Sequence, residues 1–191
     1  MDSFRKYIDS RVNITDEEFA RIVAAASIKK LRRRQYLLQE GEVWRYQAFV
    51  LSGCLRTYSI DEKGQEHVNG LAIENWWPGD CESLVTGIPS KYNIDAIEDS
   101  EVLLIPKEHF DRVCDEIPAL KDMVNQMYRK GYIAAQNRIN AFMSYTAEEK
   151  YVFFIRQYAA FANRVPLGMI ASYLGITRET LSRIRKGRLK G

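Results

Sequence analysis

Between residues 32 and 106 the chain alternates short runs of β-forming residues with glycines, and this pattern limits its possible folds more than any other feature. The runs are rich in Val, Ile, Leu and Tyr and cover residues 35–38, 47–51, 54–60, 67–73 and 102–105. The glycines between or within them are Gly41, Gly53, Gly64, Gly70, Gly79 and Gly87. Residues 61–64 are typical of a hairpin connection with glycine near its end. Many short strands at a spacing of about ten residues predict a small all-β barrel or roll rather than alternating βαβ units.

Helices are predicted on both sides of this β segment. Thr15 and Glu18 form a capping box, which predicts a short helix before the strands. After the strands, Pro118 suits the first turn of a long helix that runs to about residue 143. Apolar and small residues recur along it at alternating spacings of four and three, at Leu120, Val124, Met127, Gly131 and Ala134. This stripe predicts a homodimer seam along the 118–143 helix, and burial in the core of a single chain is the alternative.

The last part of the sequence predicts a small group of helices. Thr146 and Glu149 form a second capping box, which opens one helix. A further helix is predicted over residues 166–173, followed by a tight turn at Gly175. Thr177 then suits the N-cap of a second helix. This order of elements predicts a helix-turn-helix.

These patterns together predict an α+β protein of two domains. A β domain with the long helix occupies residues 1–143, and the helix-turn-helix domain occupies residues 144–191. Charge is divided in a similar way. From Phe161 to the end, seven basic residues and one acidic residue give a net charge of +6, whereas the other 160 residues carry −3. A basic end on a weakly acidic body is typical of a chain that meets a polyanion with that end, although a solvated basic tail has the same charge.

The second helix of the predicted pair carries side chains that suit DNA. Leu181 and Ile184 are expected to point inward, which leaves a mostly positive outer face. Arg178 and Arg183 can each donate two hydrogen bonds to a guanine, and Glu179 can accept one from a cytosine. The side chains suited to phosphate contacts are Thr177, Thr180, Ser182, Arg185, Lys186 and Arg188. The spacing favours a DNA-binding helix-turn-helix over a helical hairpin with a solvated basic face.

The same helix, ITRETLSRIRK at 176–186, resembles the recognition helix of the Crp/Fnr regulators. Segments similar to that family's β-roll precede it in the expected order: QEGEVWRYQAFVLSGCLRTY at 39–58, WPGDCESL at 77–84 and EVLLIPKEHF at 101–110. The resemblance implies an N-terminal β-roll (a double-stranded β-helix) of the cyclic-nucleotide-binding type with flanking helices, a long dimerisation helix and a C-terminal helix-turn-helix. It implies a dimeric, sequence-specific transcription regulator in which Arg178, Glu179 and Arg183 contact bases. The family's β-wing has no counterpart before Gly191, so a helix-turn-helix domain lacking the wing is expected.

Sensors of this family commonly bind a cyclic nucleotide with a Gly-Glu pair and a later arginine, and this chain departs from that pattern. Glu82 follows a cysteine, and Lys91 is the one cation between Glu82 and Glu101, although a phosphodiester needs a bidentate guanidinium. Where the family's cyclic AMP sensors carry hydroxyl residues on the long helix, this chain has Ala134 beside another apolar residue. We therefore expect a small effector other than cyclic AMP. The candidate effector residues are Glu82, Ser83, Lys91, Tyr92 and Ala134, with Trp76 and Trp77 as either pocket or core residues.

Other classes of protein are disfavoured by the sequence. An enzyme of the cupin type needs an HxH metal motif, whereas His67 and His109 are 42 residues apart. Cys54, Cys81 and Cys114 are too few for a four-cysteine iron–sulfur cluster and have no disulfide-framework spacing. No run approaches the roughly 18 apolar residues of a membrane span, and the charged N-terminus lacks the apolar core of a signal peptide.

The sequence thus predicts a cytoplasmic protein that is not an enzyme and carries no cofactor or metal. Its predicted function is that of a dimeric DNA-binding regulator. The alternative is an effector-binding β-roll module with weak or lost DNA binding that acts through protein partners.

Overall fold

The computed structural model describes residues 1–188, except for the side chain of Arg188. Within that range the helices are α1 (Asp2–Asp9), α2 (Asp16–Val23), α3 (Cys81–Thr86), α4 (Lys107–Glu116), α5 (Pro118–Ser144), α6 (Ala147–Gln157), α7 (Leu167–Leu174) and α8 (Arg178–Arg188). The strands are β1 (Ser27–Leu31), β2 (Tyr36–Leu38), β3 (Tyr46–Ser52), β4 (Cys54–Ile60), β5 (Glu66–Ile73), β6 (Asn93–Ala96) and β7 (Ser100–Pro106). The predicted α+β class is confirmed. Lys190, which contributes to the predicted basic end, and Gly191, before which no β-wing is expected, lie outside the described residues.

Two sheets form the β-roll. One has the strand order β1-β7-β3 and the other the order β2-β6-β4-β5. Every strand contributes to one buried apolar cluster, whose members include Leu31, Leu38, Val50, Leu55, Ala72, Ile94 and Val102. Because successive side chains of a strand point to opposite faces, burying one face of each strand explains the alternation of apolar residues in the sequence.

The observed strands agree with the predicted ones wherever that alternation is clear. β4 spans residues 54–60 as predicted, and β3, β5 and β7 differ from their predicted bounds by one or two residues. β1 and β6 were not predicted. In β1 four of the five residues are exposed, so no apolar face is visible in its sequence. In β6 the polar residues Asn93 and Asp95 are buried, which no hydrophobic pattern can indicate.

A second buried cluster joins α1, α2, α4 and the start of α5 to β3 and β7. Its fully buried members include Phe4, Ile8, Ile22, Phe49, Leu103, Phe110 and Leu120. Helix α1 was not predicted, yet Phe4, Tyr7 and Ile8 are buried and have the i, i+3, i+4 spacing of a helical apolar face. Both predicted capping boxes, before α2 and before α6, are confirmed.

The long helix α5 has two different halves. Leu120 and Val124 are buried in the cluster just described, and Met127 packs against it. Gly131 and Ala134, the later members of the predicted dimer stripe, are exposed. The first half of the stripe is therefore core of a single chain, and the dimer seam predicted for the second half stays a prediction.

The described chain separates into two compact units. Unit 1 consists of residues 1–59 and 70–128, and unit 2 consists of residues 60–69 and the chain from Arg129 onward. The tip of the β4–β5 hairpin therefore groups with α6, α7 and α8, and α5 contributes to both units. The domain boundary after residue 143 stays a prediction. None of the described helices is long and apolar enough to cross a membrane.

Candidate functional site

The turn between α7 and α8 has the tight geometry that the sequence predicted. Gly175 ends α7 with a φ of +64°, in the left-handed region. A Cβ atom there would lie 2.5 Å from Cε1 of Phe142, so a larger residue is excluded both by conformation and by space. The amide of Ile176 donates to the carbonyl of Ala171 at 3.0 Å and closes the turn. The predicted helix-turn-helix is therefore present.

Thr177 caps the N-terminus of α8. Its Oγ1 accepts a hydrogen bond from the amide of Thr180 at 3.1 Å and donates to the Thr180 hydroxyl at 3.0 Å. Glu179 lies in the first turn, where its negative charge complements the helix dipole. These contacts fix the start of α8, where Arg178 and Glu179, two of the three predicted base-contacting residues, lie.

One side of α8 is buried and the other faces solvent. Leu181 has no exposed surface, and α8 packs against α6 and α7, in which Phe154, Ile170 and Leu174 are buried. The exposed side chains of α8 and its cap include Thr177, Arg178, Glu179, Arg183 and Lys186, while Ser182 and Arg185 are partly buried. The backbone of Arg188 belongs to α8, and its side chain lies outside the described part.

The exposed face of α8 is positively charged. Nη2 of Arg183 contacts the Thr180 hydroxyl at 3.4 Å. Among residues 1–188, no carboxylate forms an ion pair with Arg178, Arg183 or Lys186. Their charge is therefore available to an anionic partner.

A set of polar contacts holds α7 to the β4–β5 hairpin tip within unit 2. The hydroxyl of Ser172 accepts from the amide of Val68 at 2.9 Å and donates to the carbonyl of Glu66 at 3.3 Å. The guanidinium of Arg138, on α5, donates to the carbonyl of Asn69 and lies 4.0 Å from the centroid of the Tyr173 ring. Burial raises the pKa of Tyr173 to about 12. The contacts of Ser172 and Arg138 were not predicted, because their partners are backbone groups more than 30 residues away in the sequence.

Several of the predicted effector residues lie together at α3 in unit 1. Asp80 caps α3 through the amides of Glu82 and Ser83. Ser83 is fully buried, and its hydroxyl donates to the carbonyl of Ile88 at 2.6 Å and accepts from the amide of Trp44 at 2.9 Å. Ser83 thus has a structural role here, which no motif in the sequence indicated.

Glu82 and Lys91 neutralise each other. Nζ of Lys91 lies 2.7 Å from Oε2 of Glu82, and this hydrogen bond raises the pKa of Lys91. Both side chains are more than half exposed. Nζ of Lys91 also lies 5.6 Å from the centroid of the Tyr92 ring. Ala134 is exposed on α5 in unit 2.

Trp76 and Trp77, the two tryptophans of the predicted pocket, lie in different environments. Trp77 packs against the second cluster, where its ring centroid lies 5.2 Å from that of Phe49 and 5.9 Å from that of Phe4. Its Nε1 donates to the hydroxyl of Tyr7 at 2.9 Å. Trp76 is exposed. The aromatic-pocket hypothesis therefore does not apply to Trp77, which is a core residue.

The roll contains a buried ion pair that the sequence did not reveal. Arg56 on β4 and Asp95 on β6 are register partners, and their bidentate contacts are 2.8 and 2.9 Å long. Both side chains are about nine-tenths buried. The Arg56 guanidinium also stacks on Tyr58 at 4.0 Å from the ring centroid. Asp95 thus neutralises the charge of Arg56 inside the roll.

The histidines have local partners. Nε2 of His67 lies 2.9 Å from Oδ2 of Asp61, a contact that lowers the pKa of Asp61. Nε2 of His109 lies 2.8 Å from the carbonyl of Arg21. Across the described residues, no group of three His, Cys, Asp or Glu side chains is placed to hold a metal ion.

Comparisons with known proteins identify relatives of this chain. Residues 28–116 match the cyclic nucleotide-binding domain family. The chain is 26% identical over 169 residues to the regulatory protein HlyX of Actinobacillus pleuropneumoniae. It is 28% identical over 175 residues to an anaerobic regulatory protein of Pasteurella multocida. These alignments cover 82% and 85% of this chain but 69% and 62% of the relatives, so the chain spans about two thirds of their length.

Solved structures share the fold. FixK2 from Bradyrhizobium japonicum superposes with a TM-score of 0.75 at 20% identity, over 85% of this chain and 83% of that one. A CooA mutant from Carboxydothermus hydrogenoformans superposes with a TM-score of 0.71 at 18% identity, over 94% and 88% of the two chains.

Proposed function

We propose that this chain is a transcriptional regulator of the Crp/Fnr type and that it binds DNA sequence-specifically through α8. The observation that carries this proposal is the exposed face of α8, where Arg178 and Arg183 have no acidic partner within the described residues while Leu181 anchors the helix in the core. A helix of 11 residues is about 16 Å long, and the major groove of B-DNA, about 12 Å wide, admits it.

The residues of this face divide into two roles. Arg178, Glu179 and Arg183 read base edges, because their geometry suits guanine and cytosine. The residues that contact phosphates are Thr177, Ser182, Arg185 and Lys186. The partly buried Ser182 and Arg185 reach the backbone from the sides of the helix rather than from its centre.

The DNA-binding form is a homodimer through the second half of α5. The large apolar residues exposed there in one chain include Tyr132, Ile133, Ile139 and Met143. An unpaired helix with this much apolar surface is stabilised by a second copy. Dimerisation would place two recognition helices about 34 Å apart, one turn of the duplex.

The effector of the roll is a small molecule other than cyclic AMP. Glu82 pairs with Lys91, so it is not free to bind a ribose. Arg56 pairs with Asp95, so it is not free to bind a phosphodiester. Binding of the effector would shift the population of dimers whose recognition helices match adjacent grooves.

The test is selection of bound duplexes from a random pool, followed by affinity measurements on the selected site. We expect a palindrome to be enriched. Arg178→Ala should cost about 1–3 kcal/mol and relax one base position, whereas Lys186→Ala should reduce the slope of log Kd against log salt by about one. Lys63→Ala, at an exposed lysine of the hairpin tip, is the matched control.

The opposite result favours the second candidate function. If no sequence is enriched and Arg178→Ala binds DNA as well as the wild type, the protein is an effector-binding module that acts through protein partners. Retention on DNA at low salt but not at moderate salt would point the same way, because non-specific binding is mostly electrostatic.

A further inference from the structure

An open cleft lies at the surface of unit 1, where α3 faces the start of β3 and the start of α4. It is lined by residues 43–46, 83–87 and 106–108, all of which belong to that unit. Its volume is about 580 Å³, within the range of roughly 300–1,000 Å³ that is typical of small-molecule sites. Glu82, Lys91 and Tyr92 do not line it, so the cleft differs from the predicted effector site.

The buried lining residues form an apolar floor. Trp44 and Leu84 belong to the buried cluster of the roll. The Ser83 hydroxyl accepts from the Trp44 amide and donates to the Ile88 carbonyl, so it is already used within the chain. The ring of Tyr46 contacts that of Trp44 edge to face, with 5.7 Å between the centroids. The floor therefore offers a ligand apolar and aromatic surface.

Two large side chains beside this floor are left uncovered. Val85, on α3, is 69% exposed, and Tyr46, at the start of β3, is 38% exposed. Neither belongs to the two buried clusters of the chain. Exposed apolar groups that line a concave surface are typical of a binding site, because a ligand there removes them from water.

The rim of the cleft carries three charged side chains, and one of them is neutralised. Nζ of Lys107 pairs with the carboxylate of Asp111, one turn further along α4, and this hydrogen bond raises the pKa of Lys107. Among residues 1–188, no acid forms an ion pair with Arg45 and no cation forms one with Glu108. Both of these side chains are exposed. The cleft therefore presents one positive and one negative group next to an apolar floor.

We infer that this cleft binds an apolar α-amino acid. The apolar side chain of the ligand lies on Trp44 and against Val85. Its carboxylate accepts from the guanidinium of Arg45, and its ammonium group donates to Glu108.

The pair of opposite charges at the rim selects a zwitterion. A simple carboxylic acid would bring its negative charge close to that of Glu108 without a group to bind it, and a phosphate ester would do so with more charge. A simple amine would leave Arg45 without a partner. The inference goes beyond the proposed function and does not depend on it, because ligand binding is measured without DNA.

The test is calorimetric titration of the full chain with L-phenylalanine and with L-leucine. Two analogues of phenylalanine each lack one charge: hydrocinnamate has no ammonium group, and phenethylamine has no carboxylate. Glycine keeps both charges but lacks the apolar side chain. The variants are Arg45→Gln and Glu108→Gln. The matched controls are Arg33→Gln and Glu17→Gln, at exposed positions of unit 1 that do not line the cleft.

We expect saturable binding of both apolar amino acids and no saturable binding of glycine. Arg45→Gln should weaken the binding of phenylalanine by about three- to tenfold, the range for a charged hydrogen bond that solvent screens, and leave phenethylamine unaffected. Glu108→Gln should weaken phenylalanine to a similar extent and leave hydrocinnamate unaffected. The control variants should bind every ligand as the wild type does. All four variants should keep the wild-type Tm, because the side chains that change are exposed.

Three outcomes would overturn the inference. In the first, neither phenylalanine nor leucine binds saturably to the wild type. In the second, hydrocinnamate binds as tightly as phenylalanine, which would assign the cleft to simple carboxylic acids. In the third, Arg45→Gln weakens phenylalanine and phenethylamine equally, so that the guanidinium does not bind the carboxylate. Failure of the proposed function appears separately, as the enrichment of no DNA sequence, and does not alter the calorimetric result.

Discussion

Arg56 and Asp95 illustrate how single residues place charge inside the roll. Their side chains are about nine-tenths buried, and two contacts of 2.8 and 2.9 Å join them. A charge removed from water needs such a partner, because its desolvation is costly. Tyr58 lies beside the pair, and burial raises the pKa of its hydroxyl above the usual range. The pair therefore serves the roll as a matched unit, and neither member is replaceable alone.

Removing one member should be much worse than removing both. Asp95→Ala removes the carboxylate that binds the buried Arg56 guanidinium through two contacts, and it should reduce the free energy of unfolding by about 3–5 kcal/mol. Arg56→Met with Asp95→Leu should recover most of that loss, since well-packed apolar residues replace buried pairs without a large cost. Urea denaturation measures both. A loss for Asp95→Ala below about 1 kcal/mol, the level of an exposed pair, would contradict this interpretation.

Among the secondary-structure elements, the β4–β5 hairpin tip depends on α7 as much as on its own strands. The Ser172 hydroxyl accepts from the Val68 amide and donates to the Glu66 carbonyl, and Arg138 donates to the Asn69 carbonyl. These contacts connect the end of a roll hairpin with the first helix of the helix-turn-helix.

Ser172→Ala should loosen the hairpin tip without unfolding the roll. The Val68 amide is partly buried and would lose its acceptor, which costs about 1–3 kcal/mol locally. Native-state hydrogen exchange should show faster exchange at Val68 and unchanged protection in β3 and β7. Ser144→Ala, at an exposed serine at the end of α5, is the control and should alter neither. Unchanged exchange at Val68 in Ser172→Ala would show that the contact does not hold the tip.

In the molecule as a whole, the two halves of α5 differ in burial. Leu120 and Val124 are buried in the core of one chain, whereas Tyr132, Ile133 and Ile139 are exposed. Exposed apolar residues on a helix are costly unless a partner covers them. The first half of the long helix thus builds the fold, and the second half carries the seam of the proposed homodimer.

Disrupting that second half should produce a folded monomer. Wild-type protein should sediment as a dimer, and Ile133→Glu should sediment as a monomer with weaker DNA binding, because one recognition helix then binds alone. Gln126→Glu adds the same charge at an exposed position in the first half of α5 and should remain dimeric. A monomeric wild type, or a dimeric Ile133→Glu, would contradict the seam.

How much the sequence predicted depended on how local the signal was. All the features that depend on residues a few positions apart were predicted: the capping boxes, the tight turn at Gly175 and the N-cap at Thr177. The strands with a clear apolar alternation were predicted for the same reason. β6 was missed because its Asn93 and Asp95 are buried through partners on other segments, Glu40 and Arg56.

The amino-acid sequence alone is enough to establish the order of elements, the helix-turn-helix and the positive character of α8, because each depends on periodicity, capping or charge within one segment. The folded structure was needed to show which half of α5 is core, where Trp77 lies, and which charges remain free. Burial and pairing depend on residues distant in the chain. Arg56 is neutralised by a residue 39 positions later, whereas the described structure brings no acid to the side chains of Arg45 and Arg178.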